Sequence, residues 1–231
     1  MRLFCLPHAG GGASIYRPWI ARLTAIDVQP IQLPGRETRV REPAFTRMDD
    51  LVGALADAIA PRLDAPYAIF GYSMGALIAF ELTRELRRRR ARSPLHLLVA
   101  ARGAPRLASR RPPIHGLDDA AFVAELLTWN GVPAEIAADR DALAFFLPLL
   151  RADMTLCERY VYREEPPLDV PITAFGGATD PDATPEELAA WAHETTAGCA
   201  LRTFPGGHFF IRDERDALLA AVEQALARPA G

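Results

Sequence analysis

The sequence contains no lysine, only three cysteines and no long apolar run. Its 26 basic residues, all arginine, face 29 acidic residues, which leaves the chain of 231 residues with a formal net charge of −3. A net charge of this sign and size creates no bulk field that attracts nucleic acid, so we expect no nucleic-acid partner. No apolar stretch approaches the roughly 20 residues that cross a bilayer, so we expect no membrane partner either.

The cysteines give no sign of a disulfide framework or a metal site. Cys5, Cys157 and Cys199 are odd in number and lack the spacing of metal ligands. The plain interpretation is reduced thiols in a cytoplasmic protein. Half of the residues are hydrophobic, which is typical of a globular chain, and the length fits one α/β domain.

Six short apolar runs predict β-strands, and most of them are separated by helical patterns. One helical pattern places Leu51, Leu55, Ile59 and Leu63 four residues apart on a single stripe. Strands that alternate with helices predict a mostly parallel sheet covered on both faces, with ligands bound at the carboxyl ends of the strands. The predicted strands are 3–6, 28–33, 67–70, 95–100, 170–175 and 200–204.

One region interrupts this alternation between the fourth and fifth predicted strands. Residues 105–162 show helical patterns at 120–129 and 140–159 but no clear strand. Because the region follows a strand end that should face the site, we expect a helical lid; a helical subdomain that only adds core is the alternative. The predicted division is a core of residues 1–104 and 163–231 with a lid insertion at 105–162.

A candidate nucleophile stands at the turn between the third predicted strand and a helix. Residues 71–75 read Gly-Tyr-Ser-Met-Gly, follow an apolar run and precede a helical pattern. In this setting G-x-S-x-G forms a nucleophile elbow, in which the glycines allow a sharp turn and Ser73 projects at the strand end. The helix that follows favours negative charge near its N-terminus.

Two later loops supply the partners that a serine nucleophile needs, a base and an anion that orients the base. His208 follows the last predicted strand in a glycine-rich loop, from which it can reach over the strand ends. Asp180 and Asp182 both follow the fifth predicted strand. We favour Asp180, which lies nearer the strand and is restricted by the following proline, and we leave Asp182 to cap the helix near Pro185. The order Ser, Asp, His is that of α/β-hydrolases.

The loop after the first predicted strand is a candidate oxyanion hole. Residues 7–12 read Pro-His-Ala-Gly-Gly-Gly, which resembles the HGGG-type loop that supplies one backbone N–H in lipases and esterases. We favour Ala9 as this donor, with Gly10 as the alternative, and Met74 supplies the second N–H. A dinucleotide-binding interpretation is weak, because the loop lacks G-x-G-x-x-G and the acidic residue that accompanies it.

Together these residues resemble the type II thioesterases, which are free-standing α/β-hydrolases that serve polyketide synthases, non-ribosomal peptide synthetases and some fatty acid synthases. The resemblance implies the α/β-hydrolase fold, with a mostly parallel sheet, helices on both faces and a helical lid insertion. Tyr72 departs from the pattern, since many relatives have histidine there, and we expect it to pack. The matching stretches are 3–11, 34–37, 71–76, 147–153 and 204–210.

The resemblance implies hydrolysis of acyl groups from the phosphopantetheine thiol of acyl or peptidyl carrier proteins, by an editing enzyme that removes stalled or aberrant units. The chemistry read from the residues is broader, because a Ser–His–Asp site with an oxyanion hole cleaves esters and thioesters alike. A general carboxylesterase or lipase is the nearest alternative, followed by acyl transfer or macrocyclisation and by a non-catalytic binding module. Neither a metal nor a redox cofactor is required, the phosphopantetheine arrives with the substrate, and we expect a monomer.

Candidate binding residues lie in the insertion and at its entry. For the arginine run 87–90 we favour a solvated helix end, because cations there offset the helix dipole. A docking surface for an acidic carrier protein is expected at Arg106, Arg110 and Arg111. Apolar side chains of the insertion are expected to line a substrate chamber. These predicted chamber residues are Phe122, Leu126, Trp129, Phe145 and Phe146.

Overall fold

Six parallel strands form one sheet at the centre of the computed structural model, which describes residues 1–128 and 139–227. Their order across the sheet is β2-β1-β3-β4-β5-β6, and every neighbouring pair is parallel. The predicted parallel α/β architecture is confirmed, although the second strand ends before the apolar run does. The strands are β1 (Arg2–Leu6), β2 (Asp27–Pro30), β3 (Tyr67–Tyr72), β4 (Leu97–Ala100), β5 (Ile172–Gly177) and β6 (Cys199–Phe204).

Helices in the described residues cover both faces of this sheet. The predicted stripe of Leu51, Leu55, Ile59 and Leu63 is buried, with Leu63 lying beyond the end of its helix. The helices are α1 (Arg17–Arg22), α2 (Met48–Ile59), α3 (Met74–Arg88), α4 (Asp119–Thr128), α5 (Arg140–Glu158), α6 (Pro185–Ala189), α7 (Phe210–Asp213) and α8 (Arg215–Ala227).

Successive side chains of each strand point to opposite faces of the sheet, where they pack in two separate apolar layers. In β1, Phe4 and Leu6 pack on one face with α2 and α3. Leu3 and Cys5 pack on the other face with α1 and α8. Each large side chain buried in this way contributes about 1.5–3 kcal/mol to stability. Because both faces are covered, the loops at the carboxyl ends of the strands are left to form the site.

The region between β4 and β5 contains α4 and α5 and, among its described residues, no strand. Phe122 and Leu126 of α4 pack with Ile114 and Leu150 in a small apolar cluster of their own. The C-terminal part of α5 instead joins the main core through Leu156. One end of this long helix therefore packs in the core beneath the sheet. Within the described ranges no helix is both long and apolar enough to cross a membrane.

Candidate active site

Ser73 lies in a strained turn between β3 and α3. Its φ is +53°, a left-handed conformation that non-glycine residues seldom adopt. The Ser73 N–H donates to the Ala100 carbonyl at 2.8 Å, and its carbonyl accepts from the Ala76 N–H at 3.0 Å. Strain of this kind costs about 1–3 kcal/mol and persists only where the surroundings impose it. The turn therefore holds the hydroxyl away from the sheet, at the carboxyl edge.

Two glycines allow the chain to pass closely on either side of Ser73. A Cβ atom on Gly71 would lie 2.1 Å from the Gly75 carbonyl oxygen. A Cβ atom on Gly75 would lie 2.2 Å from the Leu6 carbonyl oxygen of β1. Both distances are far below van der Waals contact, so any side chain at either position would force the elbow apart.

The structure brings Ser73, His208 and Asp180 into one chain of hydrogen bonds. The His208 Nε2 atom lies 3.0 Å from the Ser73 Oγ atom, and the His208 Nδ1 atom lies 2.8 Å from the Asp180 Oδ2 atom. A carboxylate can only accept, so Nδ1 carries the proton and Nε2 is free to accept one from the hydroxyl. The Asp180 side chain is fully buried, and its second oxygen accepts the Asp182 N–H at 2.9 Å.

Asp182 has a different environment from Asp180, and it does not cap the helix that follows. Thr184 is the N-cap of α6 and forms a reciprocal capping box with Glu187. The Asp182 carboxylate instead pairs with the Arg111 guanidinium at 2.5 Å. The predicted capping role is therefore wrong, because the threonine one turn before Glu187 already satisfies the helix start.

Asp180, Asp182 and His208 are also close enough together to share a cation. However, the facing atoms of Asp180 and His208 are already joined by their hydrogen bond. The Asp182 carboxylate is already paired with an arginine. A hydrogen bond within the group and an ion pair to Arg111 therefore account for these three side chains.

Ala9 and Met74 both line the same cavity as Ser73. Met74 begins α3, so its N–H has no acceptor within the helix. The alternative donor, the Gly10 N–H, is already bonded to the Asp153 Oδ2 atom at 2.7 Å. Of the two donors considered from the sequence, only Ala9 is thus left available for an oxyanion.

Tyr72 holds the backbone of the loop that carries His208. Its side chain is fully buried, and the phenol donates to the His208 carbonyl oxygen. Burial also raises the pKa of this phenol well above its usual value, so it remains a donor. Packing of Tyr72 was predicted from the sequence, but this hydrogen bond across 136 residues was not. Nothing in the local sequence signals it.

His8 is a buried neutral imidazole next to the site. Its Nδ1 atom lies 2.8 Å from the Ala9 carbonyl oxygen, which can only accept, so Nδ1 carries the proton. Among the described residues, its Nε2 atom has no hydrogen-bond partner. Burial lowers the pKa of His8 from 6.5 to about 4, and the cations Arg212 and Arg36 act in the same direction. His8 therefore stays uncharged at neutral pH.

We expect His8 to make the protein less stable as the pH falls from about 6.5 towards 4. In this window the unfolded chain takes up a proton at His8 that the folded chain does not, so the free energy of unfolding rises with pH. The loss attributable to His8 between pH 7 and pH 5 is about 2 kcal/mol. Urea unfolding at both pH values should show a smaller pH effect in His8→Gln than in the wild type.

The matched control for this measurement is His193→Gln, at an exposed histidine. Its stability should change between pH 7 and pH 5 as much as that of the wild type. An equal pH effect in His8→Gln and the wild type would show that His8 does not stay neutral in the folded chain.

Ser73 and His208 open onto a cavity of about 540 Å³. One wall is the segment 101–112, which follows β4, and another is α5 with the residues that follow it. Cys157 of α5 also lies in this lining, but burial raises the pKa of its thiol to about 11. A thiol in this state is protonated at neutral pH and does not compete with Ser73 as a nucleophile.

Only part of the predicted chamber belongs to this cavity. Leu126 lines it, whereas Phe122, Phe145 and Phe146 are absent from its lining among the described residues. Phe122 is fully buried in the insertion's own cluster, where the Arg151 guanidinium lies 4.2 Å from its ring centroid. Phe145 is 63% exposed. The structure therefore corrects the prediction for these three phenylalanines, whose helical faces point elsewhere.

The remaining predicted chamber residue, Trp129, lies outside the described residues. Other apolar side chains line the cavity, and none of them was predicted from the sequence to do so. From α5 come Leu150 and Met154, and from the loop after β6 comes Phe209. They give the cavity an apolar wall beside the serine.

The three arginines predicted to dock a carrier protein all line this cavity. Each is paired with a carboxylate of the chain itself, and their side chains remain 35% to 56% exposed. Their charges are therefore partly neutralised but still reachable from solvent. The pairs are Arg106–Glu194 at 2.6 Å, Arg110–Glu187 at 2.8 Å and Arg111–Asp182 at 2.5 Å.

Comparison with known proteins gives a family match over almost the whole chain. The family model described as "Thioesterase domain" matches residues 1–226. Linear gramicidin dehydrogenase LgrE of Brevibacillus parabrevis is 43% identical over 228 residues, which cover 97% of this chain and 87% of the relative. The RedJ thioesterase of the prodiginine pathway in Streptomyces coelicolor has a TM-score of 0.89 at 44% identity, covering 96% and 84%. The type II thioesterase BorB of the borrelidin cluster has a TM-score of 0.87 at 40% identity, covering 96% and 91%.

The word dehydrogenase in the name of LgrE has no counterpart in the site described above. The glycine-rich loop of this chain, residues 7–12, lacks the G-x-G-x-x-G pattern that holds a dinucleotide. Ala9 of this loop instead lines the cavity that contains Ser73. The family model and the solved structures therefore agree with the geometry of the site.

Proposed function

Since the chain belongs to the thioesterase family and is a type II thioesterase, we propose that it hydrolyses acyl groups from the phosphopantetheine arm of acyl or peptidyl carrier proteins. One observation carries the proposal: Ser73, His208 and Asp180 form a continuous hydrogen-bonded chain that opens onto a cavity. Its biological role would be editing, which is the removal of stalled or aberrant acyl units during polyketide or non-ribosomal peptide synthesis.

The geometry supports acylation of Ser73 as the first half of the reaction. The Ser73 Oγ atom attacks the thioester carbonyl carbon while the His208 Nε2 atom takes its proton. The developing oxyanion accepts hydrogen bonds from the N–H groups of Ala9 and Met74, each worth about 3–4 kcal/mol in the transition state. The carbon–sulfur bond then breaks, and the thiol leaves with the proton from His208.

Hydrolysis of the acyl-enzyme repeats these proton transfers with water in place of serine. His208 takes a proton from water, the hydroxide attacks the acyl carbon, and the same two N–H groups hold the oxyanion. The bond between the acyl carbon and the Ser73 Oγ atom then breaks, the Oγ atom takes the proton from His208, and the free acid leaves. Asp180 keeps the imidazole in the correct tautomer and stabilises its charged form in both halves. Every proton is moved by a residue of the chain, so the proposal requires neither a metal nor a redox cofactor.

A panel of substrates tests this function against a general carboxylesterase, which would use the same residues. Acyl groups of several lengths would be presented on a phosphopantetheinylated carrier protein and as simple alcohol esters. We expect the carrier-bound thioesters to have much the higher kcat/KM. Higher kcat/KM for the free esters at every chain length would favour the esterase instead.

We also propose that the protein is cytoplasmic and monomeric. Cys5, Cys157 and Cys199 are all free thiols in the structure, as a reducing cytoplasm would keep them. A monomer suffices for the chemistry, because one chain supplies the serine, the imidazole, the carboxylate and both oxyanion donors.

We further propose that Arg110 and Arg111 contribute to docking of the carrier protein. They are the more exposed of the three arginines predicted to dock a carrier, and carriers present acidic surfaces to their partners. Arg106 suits this role less well, because its partner Glu194 is only 2% exposed. Loss of Arg106 would leave that carboxylate buried without its cation, which destabilises the fold.

Replacing Arg110 and Arg111 with glutamine should raise KM for acyl-carrier substrates by about twofold to fivefold for each arginine. KM for a small N-acetylcysteamine thioester should change much less, because this substrate brings no acidic carrier surface to the arginines. Steady-state kinetics on both substrates, at low and raised salt, would measure this effect. Raised salt should increase the wild-type KM for the carrier substrate but not for the small thioester.

The matched control is Arg88→Gln, at a paired arginine that is 42% exposed. Arg88 closes α3 at the end opposite Ser73, roughly 20 Å away by helix length. Its replacement should change neither KM value. Equal effects of the double variant on both substrates would assign Arg110 and Arg111 to the fold of the site rather than to docking.

A further inference from the structure

The loop after β1 has little rigidity of its own, although it carries the proposed oxyanion donor Ala9. Three consecutive glycines, 10–12, follow Ala9, and Gly10 has a φ of +71°. Glycine populates many backbone conformations, so such a loop needs outside contacts to hold one N–H direction. Its orientation therefore depends on what binds the peptide groups next to Ala9.

A buried ion pair binds two peptide groups of this loop, and one of them is the Ala9–Gly10 peptide. The Gly10 N–H donates to the Asp153 Oδ2 atom at 2.7 Å, and the Arg36 Nη1 atom donates to the Gly11 carbonyl at 3.1 Å. Arg36 and Asp153 are joined by two hydrogen bonds of 2.9 Å and 2.8 Å. Their side chains are only 4% and 3% exposed. The Arg36 Nε atom completes the set by donating to the Pro34 carbonyl at 3.2 Å.

Stability alone is a poor explanation for this ion pair. Taking two charges out of water costs several kcal/mol per ion, and apolar residues of similar volume are often as stable or more stable. The pair instead orients the groups that are bonded to it, because a guanidinium and a carboxylate meet in one planar geometry with two hydrogen bonds. A pair that bonds the loop on both sides therefore fixes where its peptide groups point.

The same contacts tie the oxyanion loop to the insertion. Asp153 lies on α5, as do Leu150 and Met154, which line the cavity. Leu150 also packs tightly on the loop, since a Cβ atom on Gly10 would lie 2.6 Å from its Cδ2 atom. Arg36 comes from the loop after β2 and is 117 residues from Asp153. Two segments that are distant in sequence thus meet at the oxyanion loop.

We infer that Arg36 and Asp153 are positioning residues that hold the Ala9 N–H in the oxyanion hole and couple its direction to the cavity helix α5. This inference rests on the proposed function, because it assigns the pair to transition-state stabilisation. It also accounts for two of the stretches that carry the family resemblance, 34–37 and 147–153. Neither contains a residue of the hydrogen-bonded chain formed by Ser73, His208 and Asp180.

The test measures Asp153→Asn and Arg36→Lys on an N-acetylcysteamine thioester. Asparagine keeps one acceptor oxygen but leaves the guanidinium without its counter-charge, and lysine keeps the charge but loses the two-bonded geometry. A donor displaced by about 1 Å lowers kcat by about 10- to 100-fold. KM should stay within about twofold of the wild-type value, because an oxyanion donor acts mainly in the transition state.

Inhibitor binding separates positioning from a loss of folding. A trifluoromethyl ketone that adds to the serine places an oxyanion in the hole, so its affinity should fall in proportion to kcat/KM. The free acid product makes no such oxyanion, and its affinity should stay unchanged. The matched control is Arg84→Met, which breaks another buried ion pair, Arg84–Glu81, away from the loop. It should lower thermal stability without lowering kcat of the folded protein.

Wild-type kcat and ketone affinity in either folded variant would overturn the inference. Equal losses of ketone and product affinity would also overturn it, since they indicate general damage to the site. If Asp153→Asn does not fold, the result with Arg36→Lys decides. Failure of the proposed function would look different, because the wild type itself would not hydrolyse the thioester.

Discussion

Replacing Ser73 with alanine should abolish nearly all thioesterase activity while leaving the protein folded. Removal of the nucleophile of a serine–histidine–aspartate site lowers kcat by about four to six orders of magnitude. The Ser73 hydroxyl contacts His208 and lines the cavity, so its loss removes little packing. Hydrolysis of an acyl-carrier thioester and thermal unfolding of both proteins would measure the two parts of this prediction.

The control for this change is Ser109→Ala, the same substitution at another serine of the cavity lining. Within the described part of the chain Ser109 bonds to Arg111 of its own loop, so its loss should leave kcat near the wild-type value. A fluorophosphonate should label the wild type and Ser109→Ala, but not Ser73→Ala. Substantial activity or labelling in Ser73→Ala would show that another residue is the nucleophile.

Replacing Asp180 with asparagine should lower kcat by about 10⁴-fold. An asparagine at this position would present an amide to the His208 Nδ1 atom and no longer stabilise the imidazolium. The buried carboxylate now accepts from both His208 and the Asp182 N–H, so the change also removes the charge that is hydrogen-bonded to the imidazole. Steady-state kinetics on the same acyl-carrier thioester would measure the loss.

Asp182→Asn is the matched control, since it makes the same change two residues away. The Asp182 side chain pairs with Arg111, and only its backbone N–H reaches Asp180. Its replacement should cost less than about 1 kcal/mol in stability and change kcat little. A larger loss of kcat in Asp182→Asn than in Asp180→Asn would exchange the roles of the two carboxylates.

The hydrogen-bonded chain was accessible from the sequence because each of its members follows a strand. In a parallel sheet the carboxyl ends of strands meet at one edge, so the residues after β3, β5 and β6 converge there. The motif around Ser73 is local, and its two glycines are needed for contacts within a few residues or with the adjacent strand. Local motifs of this kind can be recognised in the sequence without knowledge of the whole fold.

The contacts that hold the site in place were not accessible in this way. The Arg36–Asp153 pair and the Tyr72–His208 hydrogen bond join residues 117 and 136 positions apart. Their geometry depends on how separate segments pack, and no periodicity or spacing encodes it. The stretches around Arg36 and Asp153 could be noticed only through the family resemblance, which gave no reason for them.

The chamber was mispredicted for a related physical reason. Apolar residues of α4 and α5 were expected to face the serine, but a helix in an insertion has two possible apolar partners. Phe122 packs into the insertion's own cluster, whereas Leu150 belongs to that cluster and also lines the cavity. The hydrophobicity of a side chain predicts that it will be buried. It does not predict against which neighbouring surface the side chain packs.

The most direct test of the account is the mass of the peptide that contains Ser73, taken after rapid acid quench of a reaction with an acyl-carrier thioester. Before the steady state, the account predicts that this peptide gains the mass of the acyl group at Ser73. An equal amount of carrier protein should appear with its phosphopantetheine thiol free. Loss of the acyl group from the carrier with no acyl mass at Ser73 at any quench time, or with acylation at another residue, would contradict the account.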